Sequence, residues 1–330
     1  MRRDEGAWTG CPDEPARLLR ALTDLGWRCL QMTMSKRAAP STTQQACLGA
    51  DGSGEALEEE SEAIARRLYA LDFSWDIQTS LQFALFRTYA VPSISGLLAR
   101  TGEFRARPRK RYDDTELILA EAMEHGQDSA RGRQAIGRMN AMHARFRIRN
   151  DDMLYVLSTF MCEPVRWLER FGRRPMTATE RQAWFDYYRA LGQRMGILDI
   201  PESLDEMMRW NIDYEAASFD FAESNRQIAQ TTRDLLLGMY VPRWLFFAGR
   251  PAVHALLDDR LRLSMGLPAA PAWLQHLVMA GLHARSAMLR VMPRRRKPRL
   301  LTSLPRPTYP AGYRIDYLGT FGGKAPPSGP

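Results

Sequence analysis

The chain has 330 residues, of which 45% are apolar and 25% charged, a balance typical of globular proteins with a sizeable buried core. It holds four cysteines, none in a CxxC pair, so neither a disulfide framework nor a zinc site is expected. The net charge is +8, and residues 290–330 carry nine basic side chains against one acid. The rest of the chain is therefore close to neutral.

The first 60 residues change in composition from apolar to polar to acidic, and we predict a poorly ordered extension here. A short helix fits residues 16–30, and Gly52-Ser-Gly54 is typical of a linker. The sequence shows no secretory signal and no window of roughly 18 apolar residues that would indicate a membrane span. These features predict an intracellular protein, either cytoplasmic or peripheral to a membrane.

From Ser61 onward apolar residues recur at helical spacing, and alternating strand patterns are hard to find. Two helices should begin after the capping boxes at Thr177 and Ser203. We therefore predict an all-α protein, with one large helical domain over residues 61–292 and a basic, proline-rich tail over 293–330. The other predicted helices span residues 76–90, 113–125, 130–147, 151–163 (with a break or kink at Pro164), 219–239, 243–258 and 271–292.

His143 lies on a largely apolar stripe of the predicted helix 130–147, together with Ile136, Met139, Asn140 and Phe146. A histidine in this position is either a core residue that bonds to a neighbour or a ligand to a metal or haem iron. Spacing alone favours the core histidine. The chain has five histidines and no two share a metal-ligand spacing within one helix, which disfavours a multi-histidine site but permits a single axial ligand.

Arg111 and Thr115 are four residues apart and so face the same side of a helix start. Together they suit a carboxylate, such as a haem propionate, through charge-assisted hydrogen bonds. The alternative is an ordinary helix entry, in which Asp113 and Asp114 lie near the positive end of the helix dipole. That alternative explains the aspartates but not Arg111.

Several other polar residues have two interpretations. His125 is a second ligand candidate, although a position at a helix end favours an interaction with the dipole. Asn140 could orient a ligand or pack at a helix crossing. Thr177 is expected to be an N-cap, and Arg166 and Trp167 to form a buried cation–π contact or ion pair.

Six sequence blocks occur in order along the chain. They are Pro92-Ser-Ile-Ser-Gly-Leu-Leu, Thr101-Gly-Glu-Phe104, Lys110-Arg-Tyr-Asp-Asp-Thr115, Asn150-Asp-Asp152, Glu163-Pro-Val-Arg-Trp167 and Thr308-Tyr-Pro-Ala-Gly-Tyr313. In these blocks the chain resembles the MpaB-type oxygenases, the superfamily that includes the catalytic domain of latex-clearing rubber oxygenase. The resemblance runs from about residue 75 to residue 318.

The resemblance implies an all-α domain with a globin-like core that binds one haem b. It implies that His143 is the proximal ligand of the haem iron, and that Arg111 and Thr115 are the RxxxT pair beside the haem. It also implies oxidative cleavage of a carbon–carbon double bond in a polyisoprenoid-like substrate, with O2 as the oxidant.

Two positions depart from the rubber-cleaving members. They carry a lysine just before the threonine of the pair, where this chain has Asp114. Their distal catalytic glutamate has no clear counterpart, and Glu103 is the nearest acidic candidate. We therefore expect a different or smaller apolar substrate rather than rubber itself.

The basic cluster Arg294–Lys297 lies between two prolines. It could contact an anionic membrane surface from the periphery, although a solvated tail is the simpler explanation. Nucleic-acid binding is disfavoured because no binding motif accompanies the charge. The alternative function is a non-catalytic helical protein that binds an apolar ligand or an anionic membrane surface.

Overall fold

The structure is a computed structural model that describes residues 53–319, and the helix predicted over 16–30 lies outside this range. The described residues form 13 α-helices, one π-helical turn and three 3-10 turns, and they contain no strand, which confirms the all-α prediction. The α-helices are α1 Ser53–Arg67, α2 Ser74–Thr88, α3 Pro92–Thr101, α4 Glu103–Ala106, α5 Pro108–His125, α6 Ala130–His143, α7 Asn150–Phe171, α8 Ala178–Arg194, α9 Leu204–Ser218, α10 Glu223–Tyr240, α11 Phe246–His254, α12 Asp259–Ser264 and α13 Ala272–Val291.

Helix α1 begins at Ser53, so the linker predicted at residues 52–54 is wrong for its last two positions. The acidic run that follows is helical because one side of it packs against α8, and Ala65 is fully buried there. The chain continues into a π-helical turn, Leu68–Asp72, that buries Leu68 and Tyr69.

Several other helix bounds differ from prediction. Helix α6 ends at His143 rather than residue 147, and α10 begins at Glu223 rather than residue 219. Helix α7 continues through Pro164 to Phe171, because Val165 and Leu168 beyond the proline are buried in the core and hold the helix together. Helix α5 begins at Pro108, a residue suited to a first helical position. The segment predicted as one helix over 243–258 divides into a 3-10 turn and α11, and Asp258 then caps α12.

The core is built around α2 and α7, which pack along each other, with α8 and α9 also contacting α7. Trp184, Phe185 and Met161 are fully buried there, and burial of such side chains stabilises a fold by about 1.5–3 kcal/mol each. A smaller apolar cluster joins α5 and α6 to the C-terminal segment through Leu117, Ala135, Ile315 and Leu318. The globin-like arrangement of the core stays a prediction.

The C-terminal segment over residues 299–319, predicted as part of a solvated tail, is packed against the helices. The Arg299 amide donates to the Ala70 carbonyl at 2.7 Å, and Leu301 and Leu318 are buried. The segment is held on α5 because the partners of that helix's buried carboxylates lie in it, as described below. None of the helices in residues 53–319 is long and apolar enough to cross a membrane.

Candidate functional site

Helices α5 and α6 form a tight hairpin that positions the candidate residues. Gly126 ends α5 at φ +95°, a conformation that favours glycine, and a Cβ on Gly132 would lie 1.9 Å from the Gly126 carbonyl oxygen. Because α6 then packs back along α5, its last residue, His143, lies near the first turn of α5.

Arg111 and Thr115 face the same side of α5, as their spacing predicts. Arg111 Nη1 donates a short hydrogen bond to Thr115 Oγ1, and that hydroxyl donates to the Arg111 carbonyl at 2.9 Å. The guanidinium lies 5.8 Å from the centre of the Phe104 ring. No carboxylate of residues 53–319 lies within ion-pair distance of Arg111, so its charge lacks a protein counter-ion in this part of the chain.

His143 is half-buried, and its Nδ1 atom is inaccessible to solvent without a hydrogen-bond partner among the described residues. Burial, and to a smaller extent the nearby charge of Arg111, together lower the pKa of His143 to about 4. The imidazole is therefore neutral at physiological pH. The unpaired Nδ1 leaves the imidazole able to bind a further partner, as the ligand interpretation requires, and the interpretation as a core histidine stays open.

A small cavity lies beside Thr115 between α2, α5 and α7. It has about 40 Å³, room for about one water molecule. Its walls are mostly apolar, although Gln82 Nε2 donates to Tyr112 Oη at 2.8 Å and Tyr112 Oη donates to Glu116 at 3.0 Å. The lining residues are Tyr69, Gln78, Leu81, Gln82, Leu85, Tyr112, Thr115, Glu116, Leu119, Met123, Phe160, Tyr188 and Leu301.

Sequence reasoning missed Gln78, Gln82, Tyr112 and Glu116. A sequence signal for Gln78 and Gln82 exists in α2, where these two amides are four residues apart and share a helix face with Leu81 and Leu85. Gln78 Nε2 is buried without a partner among the described residues. Burial raises the pKa of Tyr112 well above its ordinary value, and Glu116 raises it further, so the phenol stays protonated.

Asp113 and Asp114 are not solvated at a helix entry. Asp113 is fully buried, 2.9 Å from Arg109, and accepts a short hydrogen bond from Thr308. Asp114 lies 2.6 Å from Lys110 and accepts a short hydrogen bond from Tyr309.

The helix-entry explanation is therefore wrong for these aspartates, because both are anchors for the C-terminal segment. Asp114 does not line the cavity beside Thr115. Glu103, the other acidic candidate, is also absent from its walls and pairs with Arg107 at 2.7 Å.

The remaining candidates have structural roles. Asn140 donates to the Arg194 carbonyl at 2.9 Å, so it packs at a helix crossing. Thr177 forms the predicted capping box with Glu180. His125 is exposed at the end of α5, 3.5 Å from Glu121.

Arg166 pairs with Glu163 at 2.8 Å, as an ion pair, and Trp167 donates to Asp76 at 3.1 Å. Phe146 lies beyond the end of α6 and is 40% exposed, so it is not part of the apolar stripe. Among residues 53–319 no three His, Cys, Asp or Glu side chains come together as a metal-binding group.

Residues 78–304 match the family described as "ER-bound oxygenase mpaB/B'/Rubber oxygenase, catalytic domain". The chain is 33% identical over 239 residues to "ER-bound oxygenase mpaB'" of Penicillium brevicompactum, a match that covers 66% of this chain and 56% of the relative. It is 32% identical over 227 residues to "ER-bound oxygenase mpaB" of Penicillium roqueforti (strain FM164), covering 63% and 76%. The chain thus spans little more than half the length of the first relative. Because the family match covers more than half of the chain, this protein belongs to the mpaB and rubber oxygenase catalytic-domain family.

Proposed function

We propose that this protein is a haem b-dependent oxygenase that oxidises or cleaves an unsaturated, isoprenoid-like apolar substrate with O2. The observation that carries the proposal is the buried, unpaired Nδ1 of His143 beside Arg111, whose charge has no carboxylate partner in residues 53–319. A haem offers an iron for an imidazole and carboxylates for a guanidinium. The naming of the relatives as oxygenases supports the same reaction class.

In this proposal His143 would hold the haem iron through its imidazole. An imidazole binds iron through a ring nitrogen in its neutral form, and the lowered pKa of His143 keeps that form at physiological pH. The position at the end of α6 also matters, because the residues that follow, Ala144–Phe146, are exposed and can move without disturbing the core.

Arg111 and Thr115 are proposed to hold a cofactor carboxylate. The hydrogen bond to Thr115 fixes one end of the guanidinium and leaves its other nitrogens to donate. Bound haem supplies the redox chemistry with O2, and these two side chains keep it in one orientation.

The cavity walls beside Thr115 are proposed to receive the substrate. Leu81, Leu85, Leu119 and Phe160 suit an apolar chain and exclude water. Tyr112 holds a proton at Oη, bonded to Glu116, next to these walls. The cavity has about 40 Å³, which is smaller than a macrocycle, so the proposal requires the residues around it to rearrange when a cofactor binds.

An absorption spectrum of the purified protein, expressed with adequate haem supply, tests the proposal. We expect a Soret band that shifts on reduction with dithionite. His143→Ala should abolish the band, and Arg111→Gln should weaken haem retention about 10-fold or more, because a charge-assisted bond is lost.

His276→Ala is the matched control, since His276 is exposed on α13 and only its Nδ1 contacts a backbone carbonyl. Its spectrum should equal that of the unaltered protein. Colourless protein would contradict the proposal and favour the non-catalytic alternative of an apolar-ligand-binding protein. An unchanged Soret band in His143→Ala would refute the assignment of His143 as the residue that holds the haem.

We also propose peripheral contact with an anionic membrane. Trp244 and Trp273 are 71% and 66% exposed, and Val291 is also exposed at the end of α13. Residues 260–315 contain eleven basic side chains and no acidic one. Exposed tryptophans beside basic residues are typical of proteins that lie on a membrane surface. The relatives named as ER-bound are consistent with such contact.

Flotation with phosphatidylcholine vesicles, with and without phosphatidylserine, tests the contact. We expect binding only with phosphatidylserine, and its loss when Trp244 and Trp273 are both changed to Ser. Leu198→Ser is the control, because Leu198 is similarly exposed but lies in the turn after α8. Equal flotation of the double variant would remove this surface from the proposal.

A further inference from the structure

A second, larger cavity lies between α10, α11 and the loop before α13, and it shares no lining residue with the cavity beside Thr115. It has about 500 Å³, a volume typical of sites for small organic molecules. Its apolar side includes Phe247 and three prolines. Its polar side is formed by Gln230, Arg233, Asp234, Arg250 and His254.

The polar side carries an excess positive charge. Arg233 Nε lies 2.9 Å from Asp234 Oδ1, while Arg250 contacts both oxygens of the same carboxylate at 3.0 and 2.7 Å. One carboxylate thus serves two guanidiniums. The Arg233 side chain is only 8% exposed, and a charge at such a position is costly unless it is compensated.

His254 does not change this balance. Its Nε2 lies 3.0 Å from Arg233 Nη1, and because a guanidinium only donates, Nε2 must accept and the imidazole is unprotonated. Burial, together with the neighbouring charge of Arg233, lowers the pKa of His254 to about 4. The cavity therefore keeps one excess positive charge throughout the neutral pH range.

Both guanidiniums also retain donors. Within residues 53–319, Arg233 Nη2 and Arg250 Nη1 have no hydrogen-bond acceptor. A guanidinium with unused donors binds carboxylates and phosphates. The single excess charge matches a monoanion, whereas a phosphate dianion would overcompensate it. The apolar side and the volume indicate that the anion has an organic body, since an inorganic ion would fill little of the space.

We propose that this cavity binds a small organic monocarboxylate, with the carboxylate against Arg233 and Arg250 and the apolar body against Phe247 and the prolines. The site is independent of the proposed haem site, because the two cavities share no residue. It would let an amphipathic acid bind while the cofactor and apolar substrate occupy the other cavity.

Calorimetric titration of the full-length protein tests the proposal with three probes: octanoate, its neutral isostere octanamide, and inorganic phosphate. We expect octanoate to bind at one site, and octanamide and phosphate to bind at least about 10-fold more weakly, since a hydrogen bond between charged groups is stronger than one to a neutral amide. Equal affinity for the amide, or tighter binding of phosphate, would overturn it.

Variants locate the site. Arg250→Gln should weaken octanoate about 10-fold or more, because it removes one charge and its free donor. Asp234→Asn should strengthen octanoate, because it removes the competing carboxylate. Arg243→Gln, an exposed arginine outside the cavity, makes the same change of charge and should leave the affinity unaltered.

An unchanged affinity in Arg250→Gln, in protein that keeps its far-UV circular dichroism, would refute the assignment. If that variant fails to fold, Arg250→Lys decides, because it keeps the charge but loses the planar fork and should weaken octanoate less. His143→Ala should bind octanoate as the unaltered protein does, and a loss there would place the ligand at the proposed haem site.

Discussion

The two sides of helix α5 differ in how completely their polar groups are paired. On the side that faces the C-terminal segment, Asp113, Asp114, Glu121 and Glu124 are all buried, and each carboxylate has at least one partner. The one exception among their oxygens is Asp113 Oδ1, which accepts no hydrogen bond within residues 53–319 and lies 3.8 Å from Arg306 Nη1. On the side that faces α6 and the small cavity, Arg111 has no carboxylate within residues 53–319 and His143 Nδ1 has no hydrogen-bond partner there.

Helix α5 thus has two roles in this interpretation. Its paired side stabilises the fold, and its open side is proposed to bind a ligand. Buried polar groups in folded proteins are nearly always hydrogen-bonded, so the paired side follows the general rule and the open side departs from it. A departure of this kind is typical of binding sites, where the missing partner is a ligand.

The largest effect is expected on the paired side. Burial raises the pKa of Glu121, but hydrogen bonds from Arg131 and Tyr313 outweigh it and lower the pKa overall. Glu121→Ala should lower the free energy of unfolding by about 2–4 kcal/mol, because it leaves these partners unpaired around a fully buried site. Urea unfolding measures the change.

Glu169→Ala is its control, since Glu169 is exposed and forms only a surface pair with Arg181 at 3.1 Å. Its cost should be about 0–1 kcal/mol. Equal losses in the two variants would show that the buried carboxylate adds nothing beyond a surface charge.

The second effect is a pH dependence on the open side. In haem-free protein the pKa of His143 is about 4 in the folded state, below its ordinary value of 6.5, so the unfolded chain takes up the proton first. The contribution of His143 to stability is therefore complete above pH 6.5 and is lost as the pH falls towards 4. Its size is at most about 3 kcal/mol, less any solvent screening.

His143→Gln should flatten the fall in the free energy of unfolding between pH 6.5 and 4. His254 has a similarly lowered pKa and contributes the same slope in both proteins, so it cancels in the comparison. His276→Gln should leave the profile unchanged. An identical slope in His143→Gln would mean that the folded protein does not hold His143 neutral.

The smallest effect compares the same substitution on both sides of α5. Thr308→Val should cost about 1–2 kcal/mol, because the buried Asp113 loses a hydrogen bond. Thr115→Val should cost about 0.5 kcal/mol, since the partly exposed Arg111 can bond to water instead. Thermal unfolding of the two variants gives the order, and the reverse order would contradict the assignment of the two sides.

The sequence predicts most of the helical framework, because helical periodicity and capping boxes are local signals. It also predicts that Arg111 and Thr115 share one side of a helix, and it marks His143 as a candidate ligand, which stays a prediction. It does not show that Asp113 and Asp114 are buried, because their partners Thr308 and Tyr309 lie 195 residues away. Pairing between residues so far apart depends on the tertiary fold, so a local pattern of charge does not predict it.

The helix bounds that were wrong have similar causes. Pro164 ends a helix by local rules, but the burial of residues on both sides of it keeps α7 continuous. The predicted apolar stripe around His143 includes Phe146, whereas the helix α6 ends at His143 itself. The imidazole therefore lies at the edge of the helical core. Gln78 and Gln82 were missed because amides on an apolar stripe are also common in ordinary packing.

The anchoring of α5 has a consequence for biosynthesis. Its buried carboxylates acquire their partners from residues made much later, with Leu301 lying 177 residues beyond Glu124 and Tyr313 lying 192 residues beyond Glu121. Contacts between such distant residues form slowly during folding. The helix that carries Arg111 and Thr115 is therefore among the last to mature on a nascent chain, and a ribosome that stalls before residue 300 leaves it without its anchors.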